Sequence, residues 1–457
     1  MTQDRNDTPD LAGLLHDRPA DGLFRVDRSA YTSRAVFELE QARIFESTWV
    51  FVGLESQVAR PYDYLTTTLG RQPVLLTRDG DGRLHCLLNS CRHRGALVAL
   101  EPAGNKRVHV CQYHGWAYEP SGRCAFLPGK EDGRYPPAFD ASSDHGLVPV
   151  PRFAGYRGLL FASLSTDVPD LEAHLGDARR FIDLVMDQAP DGFETVPGAI
   201  AYTFNANWKL QLENGLDYYH FSSTHASYMD VIRNRGGEGA NPPAPERWFP
   251  DDTMDQGTFG FDRGHAVMWG NRNSLRVTRP LRADPRLFDR VSGSTDPLRL
   301  KWMHLNRNLT IFPNLQIIDV HSLQLRVWQP LAPDRTLMRS WCLAPVGEAA
   351  AARRDRIRQY EDFFNPSGMA TSDDNTMFEL SQRGLAATAA GVTEGHLRGL
   401  GPAPASPRLD PWQLARDLGV RPTDAQAGGM AFGGETVMHA CYREWHRLLT
   451  QPPGDVQ

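Results

Sequence analysis

Two short stretches, CRH at Cys91 to His93 and CQYH at Cys111 to His114, each set one thiol and one imidazole side by side, with seventeen residues between the two pairs. Each follows a strand-like run, where a hairpin tip can present ligands. Two Cys and two His can hold zinc in a tetrahedron, or a [2Fe–2S] cluster with both cysteines on one iron and both histidines on the other. Zinc ribbons usually place two sulfurs of a C-x2-C pair on one knuckle. Here each loop mixes sulfur and nitrogen, so that two loops can clamp a two-iron unit from opposite sides, and the cluster is the better reading. HGW at His114 to Trp116 fits it too. Chance occurrence of four unrelated residues is the bland alternative, and the regular spacing argues against it. Cys86 and Cys124 lie nearby but outside the pattern and read as buried thiols.

A third stretch, ENGLDYYHFSSTH from Glu213 to His225, puts Asp217, His220 and His225 within nine residues. On an α-helix Asp217 and His220 would lie roughly 60° apart on one face, but His220 and His225 roughly 140° apart. A straight helix cannot aim both imidazoles at one point, so a π-bulge or a helix end must intervene if they share a metal. On this stretch alone, a partly buried polar helix explains the residues equally well. A two-His, one-carboxylate iron site also needs an acid. Asp217 is near in sequence; the polar run SDDNTMFE, Ser372 to Glu379, follows the loop FFNPSGMA and offers others. Spacing does not choose between them.

Elements must hold these residues in place. Around Ser33, TSRAVFELEQARIFESTWVFVG places Phe37, Ile44 and Phe45 at helical spacing ahead of strand-like VFVG. The polar, Asp- and Pro-rich lead before it reads as an arm. From there to GLLFASL, short β-type runs (YDYLTTTL, QPVLLTR, LHCLLN, RVHVCQY) alternate with Gly, Asp and Pro, and DGDG at Asp79 to Gly82 is a hairpin turn. LEAHLGDARRFIDLVMDQ reads as one amphipathic helix. Further strands follow in LTIFPNLQIIDV, LQLRVWQPL and LMRSWCLAP, then the charged helix EAAAARRDRIRQYEDFF and a C-terminal helix near VMHACYREWHRLL; GLAATAAGVTEGHLRGLGPAPASP is a surface excursion between them. The expected class is α+β: a small antiparallel β domain carrying the Cys/His loops, and a larger domain whose antiparallel sheet is flanked by helices. The expected divisions are 1–48 (arm and helix), 49–165 and 166–457.

With 457 residues, 41% hydrophobic and 23% charged, the chain can bury a sizeable core. Its net charge of −6 argues against nucleic acid as a partner. No run approaches the roughly 18 apolar residues of a membrane helix, and the N-terminus lacks a secretory pattern. A cytoplasmic location, with the six cysteines free or on metal, is expected.

CRH, CQYHGW, ENGLDYYHFSSTH and GMATSDD, in this order and at these separations, make the chain resemble the large (α) subunit of Rieske non-haem iron ring-hydroxylating oxygenases over residues 35 to 385. RFAGYRGLLFASL, IRQYEDFFNPSGMATSDD and DARRFIDLVMDQAPDGFE look most like the benzoate and anthranilate dioxygenase branch. The resemblance implies one Rieske [2Fe–2S] cluster per chain, with Cys91 and Cys111 on one iron and His93 and His114 on the other. It implies one mononuclear Fe(II) on His220, His225 and Asp374, the second aspartate of SDD. Asp217 becomes a bridge, hydrogen-bonded to His220 and to a cluster histidine, His114, of the neighbouring subunit. The expected assembly is a homotrimer, with or without small β subunits (α3β3), fed with electrons from NAD(P)H by a ferredoxin and/or a flavin reductase. The expected reaction adds both atoms of O2 to an aromatic acid of benzoate, anthranilate, salicylate or halobenzoate type, giving a cis-dihydrodiol or catechol. Where some members carry a large aromatic before the carboxylate ligand, this chain has Met369 and Ala370, so their pocket shape does not transfer.

A carboxylate substrate needs a cation or donors in an apolar pocket. Arg326 shares an alternating strand face with Gln324 and Trp328 and is the candidate, an exposed strand arginine being its bland alternative. Asn214, Phe221 and Phe364 flank the expected ligands and read as pocket lining, with core packing an equal account of the phenylalanines. His304 and His321 read as structural histidines. Three rivals remain: a cluster-only electron carrier, which leaves His220, His225 and Asp374 unexplained; a zinc interaction module; and a monooxygenase, demethylase or neutral-arene dioxygenase sharing the same motifs.

Overall fold

The computed structural model describes residues 10–141, 145–198, 200–236, 256–270, 278–320, 322–401, 409–428 and 434–451. His321, part of the N-terminal lead and part of the Gly/Ala-rich excursion lie outside them. The chain divides into two compact units, Gln41–His174 on one side and, on the other, the residues up to Glu40 together with those from Leu175 onward. Against the expected 1–48, 49–165 and 166–457, the first boundary falls at residue 40 and the second at residue 174, and Glu40 accounts for the first. It ends the helix Arg34–Glu40 with its side chain fully buried, where its carboxylate accepts from Lys209 Nζ (2.5 Å), Trp208 Nε1 (2.9 Å) and Trp445 Nε1 (2.7 Å). A buried charge held by three donors fixes residues up to 40 to the C-terminal unit. From residue 15 to residue 26 the lead is correspondingly not an arm. Leu15–Arg18 and Leu23–Val26 form an antiparallel hairpin, and Phe24, buried, stacks on His439 at 3.6 Å between ring centroids.

In the unit Gln41–His174 every described strand pairing is antiparallel. Asp63–Leu69, Gln72–Arg78 and Leu84–Leu88 form a meander, with Ala103–Asn105 added on the outer side of the first strand. The DGDG turn closes the second hairpin, Asp79 N donating to the Arg83 carbonyl at 2.9 Å. Val50–Leu54 pairs with Leu159–Ser163, which pairs with Arg152–Tyr156. A smaller sheet of His109–Val110, Ala117–Tyr118 and Cys124–Phe126 completes the unit. Cys86 is buried in the meander core; Cys124 is only partly buried, because its strand is the edge of the small sheet, a correction to the buried thiol expected there.

The other unit is built on a nine-stranded antiparallel sheet, counted among the described residues. Its spine is four consecutive strands, Asn306–Ile311, Leu315–Asp319, Leu323–Ala332 and Arg335–Pro345, each paired to the next. Leu315–Asp319 is buried at every position, so it shows no polar alternation, as expected of a strand covered on both faces. The single helix expected in LEAHLGDARRFIDLVMDQ is two, Leu171–Leu175 and Arg179–Met186, joined by a 3-10 turn. The helices that matter for chemistry are Trp208–Asn214, Phe221–Thr224, Ala226–Gly236, Ala350–Phe363 and Ala370–Leu385.

Candidate functional site

In the β unit the two Cys/His loops fold alike. Cys91 N donates to the Ala96 carbonyl and Gly95 N to the Cys91 carbonyl, both at 2.8 Å; Cys111 N donates to Trp116 O (2.8 Å) and Gly115 N to Cys111 O (2.9 Å). Gly115 sits at φ +73, and a Cβ there would meet Pro128 at 3.3 Å, so the tight reversal needs glycine. Cys91 and Cys111 are buried, 3% and 2% exposed, in the core formed with Tyr64, Leu75, Leu87, Trp116 and Tyr118. The imidazoles of His93 and His114 approach at 4.3 Å between centroids and an interplanar angle of 70°, and His93 stacks on Trp116 at 5.2 Å. His93 Nδ1 is a buried nitrogen with no hydrogen-bond partner. Two buried thiols and two converging imidazoles with one orphaned nitrogen fit a mixed-ligand two-iron cluster.

Sequence reasoning missed Tyr118. Its hydroxyl lies 3.1 Å from Cys91 Sγ and accepts from Arg92 N at 3.1 Å. Burial, then the bond to Cys91, raise its pKa, so it stays a donor. The only signal was its position at the foot of the second loop.

In the larger unit the stretch Glu213 to His225 is not one helix. Trp208–Asn214 starts at Asn207, whose side chain accepts from Lys209 N, and ends at Gly215. There the Gln316 side chain, from the central sheet, donates to the Leu212 carbonyl at 3.2 Å, and a Cβ on Gly215 would sit 1.8 Å from its Nε2. Asp217 then turns the chain, its Oδ1 accepting from Tyr219 N (2.9 Å) and His220 N (3.3 Å). His220 precedes and His225 follows the single turn Phe221–Thr224. A helix end, rather than a π-bulge, brings the imidazoles together, at 5.3 Å between centroids and 72° between planes.

Asp374 arrives on the helix Ala370–Leu385. Its Oδ1 lies 3.2 Å from His225 Nε2 and 3.6 Å from His220 Nε2, and one ligand atom from each of the three residues lies within 4.8 Å of the others. The site is largely shielded: His225 is 2% and Asp374 6% exposed. Such a set fits one octahedral metal with a face left open. Around it stands a second set of polar groups. Asn214 Nδ2 donates to Asp374 Oδ1 at 3.1 Å and lies 3.4 Å from His220 Nε2. Asp217 Oδ2 is 3.5 Å from His220 Nδ1, and Asp373 Oδ2 is 3.4 Å from His225 Nδ1. Each imidazole therefore turns one nitrogen to the centre and the other to a carboxylate, the arrangement that fixes tautomer and orientation at metal sites. Burial alone would lower the pKa of His220, but Asp217 and Asp374 outweigh it and hold it above the ordinary imidazole value. Asp373 went unread in the sequence, although the SDD doublet carried the signal: neighbours on a helix point about 100° apart, so two aspartates can address different groups.

Of the pocket candidates, Phe221 lies 5.3 Å from the His225 ring and 6.3 Å from Phe363. Phe364 is buried against Phe363, edge to face at 4.6 Å. Arg326 is 4% exposed, so it is not an exposed strand arginine; its Nη2 donates to Thr371 Oγ1 at 2.9 Å, and its guanidinium lies over the Phe364 ring at 5.4 Å. His304 is buried, 4% exposed. No described helix is long and apolar enough to cross a membrane.

Comparison with known proteins adds independent findings. Residues 48–146 match the family described as Rieske [2Fe–2S] domain, and residues 193–451 the family described as ring hydroxylating alpha subunit (catalytic domain). The toluate 1,2-dioxygenase subunit alpha of Pseudomonas putida is 40% identical over 381 residues, covering 82% of each chain. The anthranilate 1,2-dioxygenase large subunit of Acinetobacter baylyi is 38% identical, over 96% of this chain and 92% of its own. Among solved structures, naphthalene 1,2-dioxygenase from Rhodococcus sp. bound to indole superposes with a TM-score of 0.77 at 24% identity, over 94% of this chain and 95% of that one. That likeness concerns the fold.

Proposed function

The chain belongs to the Rieske non-haem iron family of ring-hydroxylating α subunits, and from that membership we propose that it adds both atoms of O2 to an aromatic carboxylate of the benzoate, anthranilate, salicylate or halobenzoate type. The observation that carries this reading is the convergence of His220, His225 and Asp374 within 4.8 Å in a chain that also presents the buried Cys91/Cys111 and His93/His114 set. The substrate class rests on the toluate and anthranilate dioxygenase relatives. When bound, the cluster supplies electrons one at a time and the mononuclear iron activates O2 beside the ring.

In this reading Cys91 and Cys111 hold one iron of the cluster and His93 and His114 the other, while His220, His225 and Asp374 hold the mononuclear iron. Asp373 keeps the His225 imidazole in register by accepting from its Nδ1, Asp217 places its carboxylate 3.5 Å from His220 Nδ1, and Asn214 orients Asp374. Asp217 also links the two metals across subunits by bonding the partner subunit's His114. Its side chain, 22% exposed, keeps an edge free for that contact. Leu97, Val110, Tyr113 and Phe126 stand exposed on the β unit that carries the cluster loops, as expected of a surface that docks on protein. The relatives are named as alpha or large subunits, in keeping with a homotrimer, alone or as α3β3, served by a ferredoxin and/or flavin reductase. The ring gains two C–O bonds on adjacent carbons as the O–O bond breaks. Two electrons come from NAD(P)H through the reductase and two protons from solvent. From benzoate the product is the cis-dihydrodiol itself; from anthranilate the dihydroxylated ring loses CO2 and ammonia together, which leaves catechol with no further oxidant.

The test is a peroxide-driven reaction of the purified, metal-replete protein with benzoate, anthranilate, salicylate, halobenzoates and neutral arenes, using 18O-labelled peroxide and mass detection. Two labelled oxygens in an acid dihydrodiol or its catechol are expected. Single-oxygen products, or activity on neutral arenes alone, would overturn the assignment.

A further inference from the structure

Four arginines are buried among the described residues: Arg279, Arg307, Arg326 and Arg356. Three of them have carboxylate partners. Arg279 and Arg307 share Asp319 at 2.5 and 3.5 Å, and Arg356 pairs with Glu348. Arg326 alone has no acid within ion-pairing distance among the described residues. Its hydrogen bond goes to a neutral hydroxyl, Thr371 Oγ1, which in turn donates to the Phe364 carbonyl at 2.9 Å. A buried guanidinium without a counter-ion is costly unless an anion completes it. Its position says which anion. Thr371 and Asp374 are three residues apart on one helix, hence neighbours on one face with Cβ atoms about 5–6 Å apart. The Phe364 ring lies beneath the guanidinium at 5.4 Å.

We infer that Arg326, held by Thr371 and backed by Phe364, is the carboxylate-binding residue of the substrate site, an inference that rests on the aromatic-acid reading above. A planar fork with parallel N–H donors suits a carboxylate, and an apolar ring beside it suits the arene. Because Thr371, which holds the fork, stands about one helical turn from Asp374, the ring edge nearest the metal centre is the one that carries the carboxylate. A substrate whose acid group lies across the ring would be held away from the centre.

The experiment measures equilibrium binding of benzoate and of benzamide, its neutral near-isostere, to the full metal-replete protein, with steady-state turnover of both alongside. Arg326→Gln should weaken benzoate binding by about 100-fold, and Thr371→Val, which frees the guanidinium, by about ten-fold, while benzamide changes less than about three-fold in either. Mononuclear iron content monitors the integrity of the site, and should Arg326→Gln not fold, the benzoate-to-benzamide ratio in Thr371→Val decides. Unchanged benzoate affinity in the variants, or benzoate and benzamide falling together, would overturn the role of Arg326 and leave the aromatic-acid reading standing. A wild-type protein that binds neutral arenes but not benzoate would instead remove that reading, and this inference with it.

Discussion

Asp373→Asn asks what the carboxylate behind His225 contributes. Its Oδ2 lies 3.4 Å from His225 Nδ1, while Nε2 of the same ring faces Asp374 Oδ1 at 3.2 Å. An acid on Nδ1 holds the proton there and leaves Nε2 free and more basic toward a metal, and loss of such a partner costs about 10–100-fold in metal affinity. Asp373 is 30% exposed, so solvent screens part of its charge. Asparagine keeps the size and one acceptor oxygen, which places Asp373→Asn at the low end, about ten-fold or 1.4 kcal/mol. Asp373→Ala removes charge and acceptor together and belongs near about 100-fold or 2.7 kcal/mol. The assay is anaerobic competition for Fe(II) with a chromophoric chelator at pH 7, with the cluster absorbance as internal control. His225→Ala marks the limit, losing the mononuclear iron and keeping the cluster spectrum. An unchanged Fe(II) dissociation constant in Asp373→Ala would refute the reasoning and assign the ring's orientation to its packing against Phe221 and Phe363.

Asp217→Asn keeps an oxygen for the amides of Tyr219 and His220, so both metals should stay bound while NADH-driven turnover falls by about 100-fold or more; full activity with normal iron content would sink the bridging role. Gly215→Ala drives a Cβ into the buried Gln316 amide, and should cost about 1–3 kcal/mol in a denaturation midpoint measurement and weaken mononuclear iron retention; a loss below about 0.5 kcal/mol would show that Gln316 moves aside. Acid should destabilise the larger unit early. Burial, then neighbouring arginines, hold His304 down at about 3, and burial chiefly holds His439 at about 4. Both are neutral when folded, so their unfolded forms alone take up protons as pH falls below about 6.5, and at pH 5 each should cost about 2 kcal/mol of stability. Denaturation followed by tryptophan fluorescence at pH 7 and pH 5 checks this, and His439→Asn should remove about half of the drop; equal pH dependence in the two proteins would contradict it.

Much of the cluster site is legible in the sequence because each loop is local. Cys91 and Cys111 each close on a carbonyl or amide within five residues, and the ligand types repeat on that scale. The meander strands and the DGDG turn are readable for the same reason, alternation and turn chemistry being short-range. The helix Arg34–Glu40 is legible as a helix, yet its place in the larger unit is not, since that follows from a buried acid reaching Lys209, 169 residues on.

The mononuclear site divides along the same line. Sequence alone determined that Asp217, His220 and His225 could share a metal only if the helix broke. It could not say where, because the break at Gly215 is imposed by Gln316, which bonds the Leu212 carbonyl from 104 residues away. Nor could spacing choose between Asp217 and the SDD run, since Asn214 and Asp374 meet across 160 residues. Only the folded sheet and its covering helices brought Asp374 to the histidines, turned Asp373 onto His225 and buried Arg326 with no acid beside it among the described residues. Backbone hydrogen bonding and periodicity act between near neighbours and are written in order along the chain. Burial, and the charge pairing that burial demands, are set by residues that become neighbours only when the chain has folded.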